Sequence, residues 1–348
     1  MNKENKISSV LDIHNVAGEN NTLTVATLEL LTNCNWKCEH CYLPTHTNNG
    51  LSKEVIFNTL KELRDMGCFE IAFTGGEIFF RKDMMEIIKR ARELGFNVFL
   101  LTNISLLTEN QIEELSKLYI ANISCTLFAL DEEIHDSITH VKGSLSKAIE
   151  NIKLIKKYEI PLKIKTVIMK KNYDYFDEIE QFCNENGFGY KADYNILSKN
   201  DGDNETMDLM LSDDEIKQIL LKIDDTVGYK SKTREKNELI CPSIRNSIFI
   251  DCEGNVYPCN RLFIKQGNIL EMTIKEIWEN SHSLKQLKSM TWGDLDECFN
   301  CSSSEYCVRC PGASLLENGN VFSKNLNACK IANLRKSLLE DKYNEKAY

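Results

Sequence analysis

Between Leu23 and about Ile196, short runs rich in β-branched and aromatic residues alternate with stretches whose apolar positions recur every three or four residues. Such alternation predicts βα units on a parallel sheet. The strand runs are Thr24–Leu31, Glu70–Thr74, Asn97–Thr102, Asn122–Phe128, Leu162–Met169 and Gly189–Ile196. Ile56, Leu60 and Leu63 lead to Gly67, and Met84, Ile87, Ile88, Ala91 and Leu94 lead to Gly95, each a helical stripe closed by a glycine. Further helices are expected near Glu109–Leu118, Ser144–Tyr158 and Tyr173–Asn186. Six units are too few for a closed eight-unit barrel, so the fold expected for residues 22–197 is α/β, a partial (β/α)6 barrel of TIM type. Residues 1–21 read as a polar N-terminal segment.

The pattern changes after Ile196. Residues 198–240 read as a linker, polar and glycine-containing at first, with a bridging helix near Ser212–Thr226. From 241 to 348 cysteines crowd together, Ile248–Ile250 and Val256–Pro258 predict a hairpin, and long elements become scarce until a charged helix near Leu326–Tyr343. A small cysteine-rich domain held by metal rather than by a large core is the expectation.

Composition narrows the function. With 42 Lys and Arg against 52 Asp and Glu, the formal charge is −10, which argues against electrostatic nucleic-acid binding. No apolar run is long enough to span a membrane and no signal peptide opens the chain, so a cytoplasmic protein without membrane contact is expected. Fourteen cysteines are then anomalous, because a reducing compartment does not keep disulfides. With only six histidines beside them, soft thiolate sites are favoured over imidazole ones.

Three of these cysteines follow the first strand: Cys34, Cys38 and Cys41 in Cys-Asn-Trp-Lys-Cys-Glu-His-Cys. Three thiolates on one loop can hold three irons of a cubane and leave the fourth open, whereas structural zinc asks for a fourth protein ligand. A zinc site or a buried trio is the plainer alternative. The segment resembles the cysteine loop of radical S-adenosylmethionine (SAM) enzymes. Thr74-Gly75-Gly76-Glu77 follows the second strand, where that family carries a Gly-Gly-Glu motif holding the amino group of SAM. Glycines permit close backbone approach and a carboxylate suits an ammonium. By the same resemblance Thr102, Asn103 and Thr126 are placed near the SAM ribose or carboxylate, with satisfied polar groups in a narrow barrel as the alternative. His40 and Tyr42 are candidates for adenine stacking, or else exposed loop rings. His135, in a stretch similar to the loop after the fourth strand of peptide-modifying members, reads as a helix-start or packing residue.

The C-terminal cysteines run Cys241, twelve residues, Gly254, four residues, Cys259, then Cys298, Cys301, Cys307, Cys310 and Cys329. This order resembles the SPASM domain, the radical SAM extension with two auxiliary 4Fe-4S clusters. The resemblance implies Cys241, Cys259 and Cys310 for the first cluster and Cys298, Cys301, Cys307 and Cys329 for the second. Only Val308 and Arg309 separate Cys307 from Cys310, where the family pattern has three residues. Cys252 is the available fourth ligand for the first cluster; without it one iron stays open to a substrate thiolate. Zinc knuckles are the alternative for this block. Cys68, Cys125 and Cys183 are expected to pack in the barrel.

Taken together, the resemblances imply three 4Fe-4S clusters, SAM, and a 5'-deoxyadenosyl radical that takes hydrogen from a peptide or protein substrate, with a flavodoxin- or ferredoxin-type reductant. The leading expectation is maturation of a ribosomally made peptide by thioether or carbon–carbon cross-linking. The residues before the barrel are too few for a leader-binding domain, so a separate leader-recognition protein is one expected partner. A sulfatase-maturing enzyme, with Asp193 as candidate base, and a peptide epimerase, with Cys125 or Cys252 as hydrogen donor, are the alternatives.

Overall fold

The computed structural model describes residues 9–227 and 231–345. Six parallel strands follow the predicted order: β1 (Val25–Glu29), β2 (Glu70–Thr74), β3 (Asn97–Leu101), β4 (Asn122–Thr126), β5 (Leu162–Val167) and β6 (Gly189–Asp193). Helices α2 (Lys53–Asp65), α3 (Met84–Glu93), α4 (Glu109–Lys117), α5 (Glu132–Thr139), α6 (Ser144–Lys157) and α7 (Phe176–Asn186) connect them. Local capping sets their starts: the Ser52 side chain accepts from Val55 N–H, and Thr108 and Gln111 form a reciprocal capping box. Most observed strands are shorter than the apolar runs, because the chain leaves the ladder early to build loops at the C-terminal end of the sheet.

Three features depart from the sequence expectation. Residues Val10–Glu19 of the polar N-terminal segment form a helix, α1, capped by Ser9. The cysteine-rich region holds more regular structure than expected, including α9 (Ile274–Asn280) and α10 (His282–Ser289), after the bridging helix α8 (Asp213–Val227). These are too short for their periodicity to stand out from surrounding loops. The predicted hairpin is present as β7 (Ser247–Ile250) and β8 (Asn255–Tyr257), but it does not stand apart. β7 pairs in parallel with β1, and with β9 (Gly267–Asn268) the result is one nine-stranded sheet in the order β6-β5-β4-β3-β2-β1-β7-β8-β9. The cysteine-rich segment continues the barrel wall past its first strand.

Strand alternation then sorts the side chains. Ala26, Leu28, Ile71, Phe73, Val98, Leu100, Ile123 and Ile164 are buried in the main core, against the helices. The alternate positions, including Glu29, Thr74, Leu101, Thr126, Lys165 and Asp193, fall on the concave face. Beyond β9 the chain continues through α11 (Asp296–Phe299), α12 (Pro311–Asn318) and α13 (Leu326–Glu345), which carry or flank the last five cysteines of the C-terminal series. Among the described residues no helix is long and apolar enough to cross a membrane.

Candidate functional site

The loop after β1 is fastened at several points. Thr32 N–H donates to Asn48 O at 2.9 Å, and Asn48 N–H returns to the Thr32 hydroxyl at 3.0 Å. Arg81 reaches across to donate to the carbonyls of Leu30, Asn49 and Leu51, while Asp83 holds its guanidinium from the other side. Lys37 and Glu39 donate their backbone N–H groups to Thr139 and Ile138 at the end of α5. The cysteine segment is thereby held across the mouth of the barrel.

Cys34, Cys38 and Cys41 line one open cleft of about 200 Å³ together with Gly75, Gly76, Thr102, Asn103 and Thr126. Asn103 directs its amide at the Cys34 sulfur from 3.8 Å and at Asn35 from 2.9 Å, and Trp36 N–H points to the same sulfur at 3.4 Å. Burial pushes all three thiols up, Cys34 to about 11. They form thiolates only when a cation compensates the desolvation, which is what iron supplies. Among the described residues, no three His, Cys, Asp or Glu side chains stand close enough to hold a single metal ion. A cubane asks for a wider set, since each of its thiolates binds a different iron.

Two buried donors or acceptors in this cleft have no protein partner: Trp36 Nε1 and His40 Nδ1. Such orphaned groups are costly unless a ligand meets them. Burial lowers His40 to about 4, so its ring is neutral and packs edge-on against Phe128 at 5.1 Å. Tyr42 is more than a third exposed and lines both this cleft and a second one. These are fitting surroundings for a ligand with an aromatic base.

The Gly-Gly-Glu segment works differently from a direct ligand clamp. A Cβ on Gly76 would stand 2.3 Å from Asn33 O and 2.4 Å from Thr32 O, and one on Gly75 would stand 2.4 Å from Leu31 O. The close approach that the glycines permit is to the start of the cysteine loop itself. Glu77 lies fully buried behind them, accepting from the Thr102 hydroxyl at 2.7 Å, Asn103 N–H at 2.7 Å and Phe79 N–H at 2.9 Å. Its carboxylate thus ties the glycine turn to the end of β3 rather than lining the cleft. Alanine at Gly76 cannot be absorbed by a rotamer change, since both obstacles are backbone. The expected result for Gly76→Ala is a displaced cysteine loop and SAM affinity lowered by at least about ten-fold in equilibrium dialysis.

Other candidates are redistributed. Cys125 faces the helix layer, only 1% exposed, with Cys183 of α7 beside it, so it cannot meet a substrate on the concave face and its proposed role as hydrogen donor falls. Cys68 and Cys183 are also core residues. His135 is fully buried, 2.9 Å from the Ser144 hydroxyl and edge-on to Trp36, a packing residue. Asp193 does face the second cleft, where Arg261 approaches it at 3.8 Å.

Cys241, Cys259 and Cys310 are mutual neighbours; in the other group Cys329 neighbours Cys298, Cys301 and Cys307, and Cys307 also neighbours Cys298. Cys252 joins neither set. It is buried at the turn after β7, beside the Glu29 carboxyl. The second cleft, lined by Asn195, Asn200, Asn260, Arg261 and Phe263, shares His40 and Tyr42 with the first and reaches Asn260, the residue after Cys259 in the chain. The two clefts therefore meet at His40 and Tyr42, beside the first cysteine loop.

Residues 28–183 match the Radical SAM superfamily, and residues 241–302 match the SPASM iron-sulfur cluster-binding domain. The chain belongs to the radical SAM superfamily and carries a SPASM domain. This radical SAM/SPASM chain is an enzyme by that membership. Among similar proteins are the AdoMet-dependent heme synthases of Methanosarcina barkeri and Oleidesulfovibrio alaskensis, each 23% identical. The alignments cover 85% and 84% of this chain and 93% and 83% of theirs. The fold resembles that of Streptococcus suis SuiB bound to precursor peptide SuiA, with a TM-score of 0.70 at 15% identity over 90% of this chain and 79% of that one. It also resembles anSMEcpe with bound AdoMet and Cp18Cys peptide, with a TM-score of 0.64 at 18% identity over 93% and 99%.

Several residues of the site were invisible in the sequence. His46 lines the first cleft with Nε2 3.5 Å from the Cys41 sulfur, and Lys165 lines it from β5. Glu29, 7% exposed with Oε2 unpartnered, stands where β1 meets β7. Neither a motif nor a periodicity marks any of the three, although strand alternation places Glu29 and Lys165 on the concave face once the strand bounds are known.

Proposed function

We propose that this enzyme matures a ribosomally made peptide, joining a cysteine side chain to another residue, with Cys34, Cys38 and Cys41 holding the SAM-binding 4Fe-4S cluster. When bound, that cluster and SAM supply a one-electron cleavage yielding a radical able to take hydrogen from carbon. The chain's own part is to hold and shield. Asn103 and the Trp36 N–H orient the Cys34 sulfur, Glu77 braces the glycine turn, and Trp36, Phe128 and Leu101 give the cleft apolar walls that exclude water.

The observation that carries the reading is the place of Cys252. With Cys252 beside Glu29 and apart from the others, the first C-terminal set keeps three neighbouring cysteines, and a cubane there would have a free position for a substrate thiolate. The second cleft reaches Asn260, the residue after Cys259, and its asparagines suit peptide amides. Cys298, Cys301, Cys307 and Cys329 would hold the second auxiliary cluster. The formylglycine reading has less support, because its base, Asp193, is engaged by Arg261. A cysteine hydrogen donor for epimerisation is left only in Cys252, which is buried at the β7 turn. The heme synthase name of the curated relatives makes a tetrapyrrole the substrate class to test against.

Two measurements test the proposal. Anaerobically reconstituted protein is expected to hold about twelve irons, no zinc, and an electron paramagnetic resonance signal that SAM alters. Incubated with a cysteine-containing peptide encoded beside its gene, it should remove two hydrogens and one free thiol from that peptide. Zinc in place of the auxiliary irons would reject the two extra clusters. Turnover of a tetrapyrrole with no change in any such peptide would reject the peptide substrate.

A further inference from the structure

Arg309 lies in the shortened Cys307-Val308-Arg309-Cys310 step. Val308 is 71% exposed and Arg309 only 6%, so the step turns one side chain outward and drives the guanidinium in. One nitrogen, Nη2, donates to the carbonyls of Val321 and Ser323, in the turn between α12 and α13. Nε and Nη1 are buried and have no partner. Among the described residues no carboxylate comes within ion-pair distance; the groups that surround the cation are Cys298, Cys307 and Cys310. A guanidinium stays charged under all ordinary conditions, and a buried charge without a counter-charge is strongly disfavoured. The missing partner must therefore be anionic and must sit among these sulfurs.

A 4Fe-4S cube held by four thiolates carries net negative charge and offers sulfur as hydrogen-bond acceptor, which matches two N–H groups aimed at a cysteine set. Two of the three neighbouring sulfurs belong to the second set. We propose that Arg309 is a positioning residue of the second auxiliary cluster, directing Nε–H and Nη1–H at its sulfurs and raising its reduction potential. The physical reason is direct: reduction adds one negative charge to the cube, and a fixed cation nearby stabilises the reduced form more than the oxidised one. The two-residue spacing then has a use, since it places the cation between the cysteines instead of outside them. The inference rests on the auxiliary-cluster reading above.

The test is a potentiometric titration of reconstituted protein followed by electron paramagnetic resonance, comparing wild type with Arg309→Gln and Arg309→Lys. The expected result is unchanged iron content, one auxiliary signal moved to lower potential in Arg309→Gln, and a smaller move in Arg309→Lys, which keeps the charge and loses the fork. The SAM-responsive cluster should not move. Three clusters with all midpoints unchanged would overturn the role of Arg309 while leaving the cluster reading intact. Equal loss of iron in both variants would make Arg309 a brace for the Val321–Ser323 turn and nothing more. Wild-type protein with iron only at the first loop would remove the cluster reading and this inference together.

Discussion

Cys38→Ala abolishes SAM cleavage: 5'-deoxyadenosine under reducing, anaerobic conditions falls more than about a thousand-fold, and the SAM-sensitive resonance signal disappears. The reason lies in ligand count. The first loop offers three thiols to the cleft, and two thiolates cannot replace three when each serves a different iron. Cys34→Ala and Cys41→Ala should behave alike. Cys183→Ala removes a thiol of the same kind from the helix layer and should keep both the signal and the product. Product formation by the Cys38 variant at the wild-type rate would sink the assignment of this loop.

The second large effect is on stability rather than turnover. Burial, helped by the neighbouring Asp251 charge, raises the Glu29 carboxyl from 4.5 to about 7. The folded protein therefore binds this proton more tightly than the unfolded chain does. Its contribution is fully present below pH 4.5 and is lost as the pH rises through 7, where the buried carboxylate must ionise. At about 1.4 kcal/mol per pH unit the loss amounts to about 3 kcal/mol. Glu29→Gln has no such proton to lose. Between pH 5 and pH 8 the wild-type melting temperature should fall by several degrees more than that of the variant, at about 2 °C per kcal/mol. Parallel melting profiles for the two proteins would refute it.

How far the site could be read in advance depended on the kind of signal. The three cysteines of the first loop and the Gly-Gly-Glu segment were legible, because close sequence spacing survives folding: residues three or four apart on one tight loop stay together. Thr102, Asn103 and Thr126 were legible as strand ends, and they do line the cleft. Glu77 shows the limit of that reading. Its presence was visible, but its engagement with Thr102, Asn103 and Phe79 required knowing that β3 lies beside β2. Cys125 and Cys252 show the limit more sharply. Both looked like usable thiols, and only the pleat of β4 and the β1–β7 pairing turned one into the core and set the other beside Glu29.

The sequence by itself determined the βα alternation, the strand order of the barrel, the cysteine-loop chemistry and the two families of cysteines, since each is written in local period or local spacing. Tertiary structure alone decided that the cysteine-rich segment extends the barrel sheet, that the two clefts meet at His40 and Tyr42, and that Arg309 is sealed among sulfurs with two idle N–H groups. Those features join residues far apart in the chain, as β1 and β7 are. Such contacts form when the fold closes, through strand pairing and burial that no local window of residues contains.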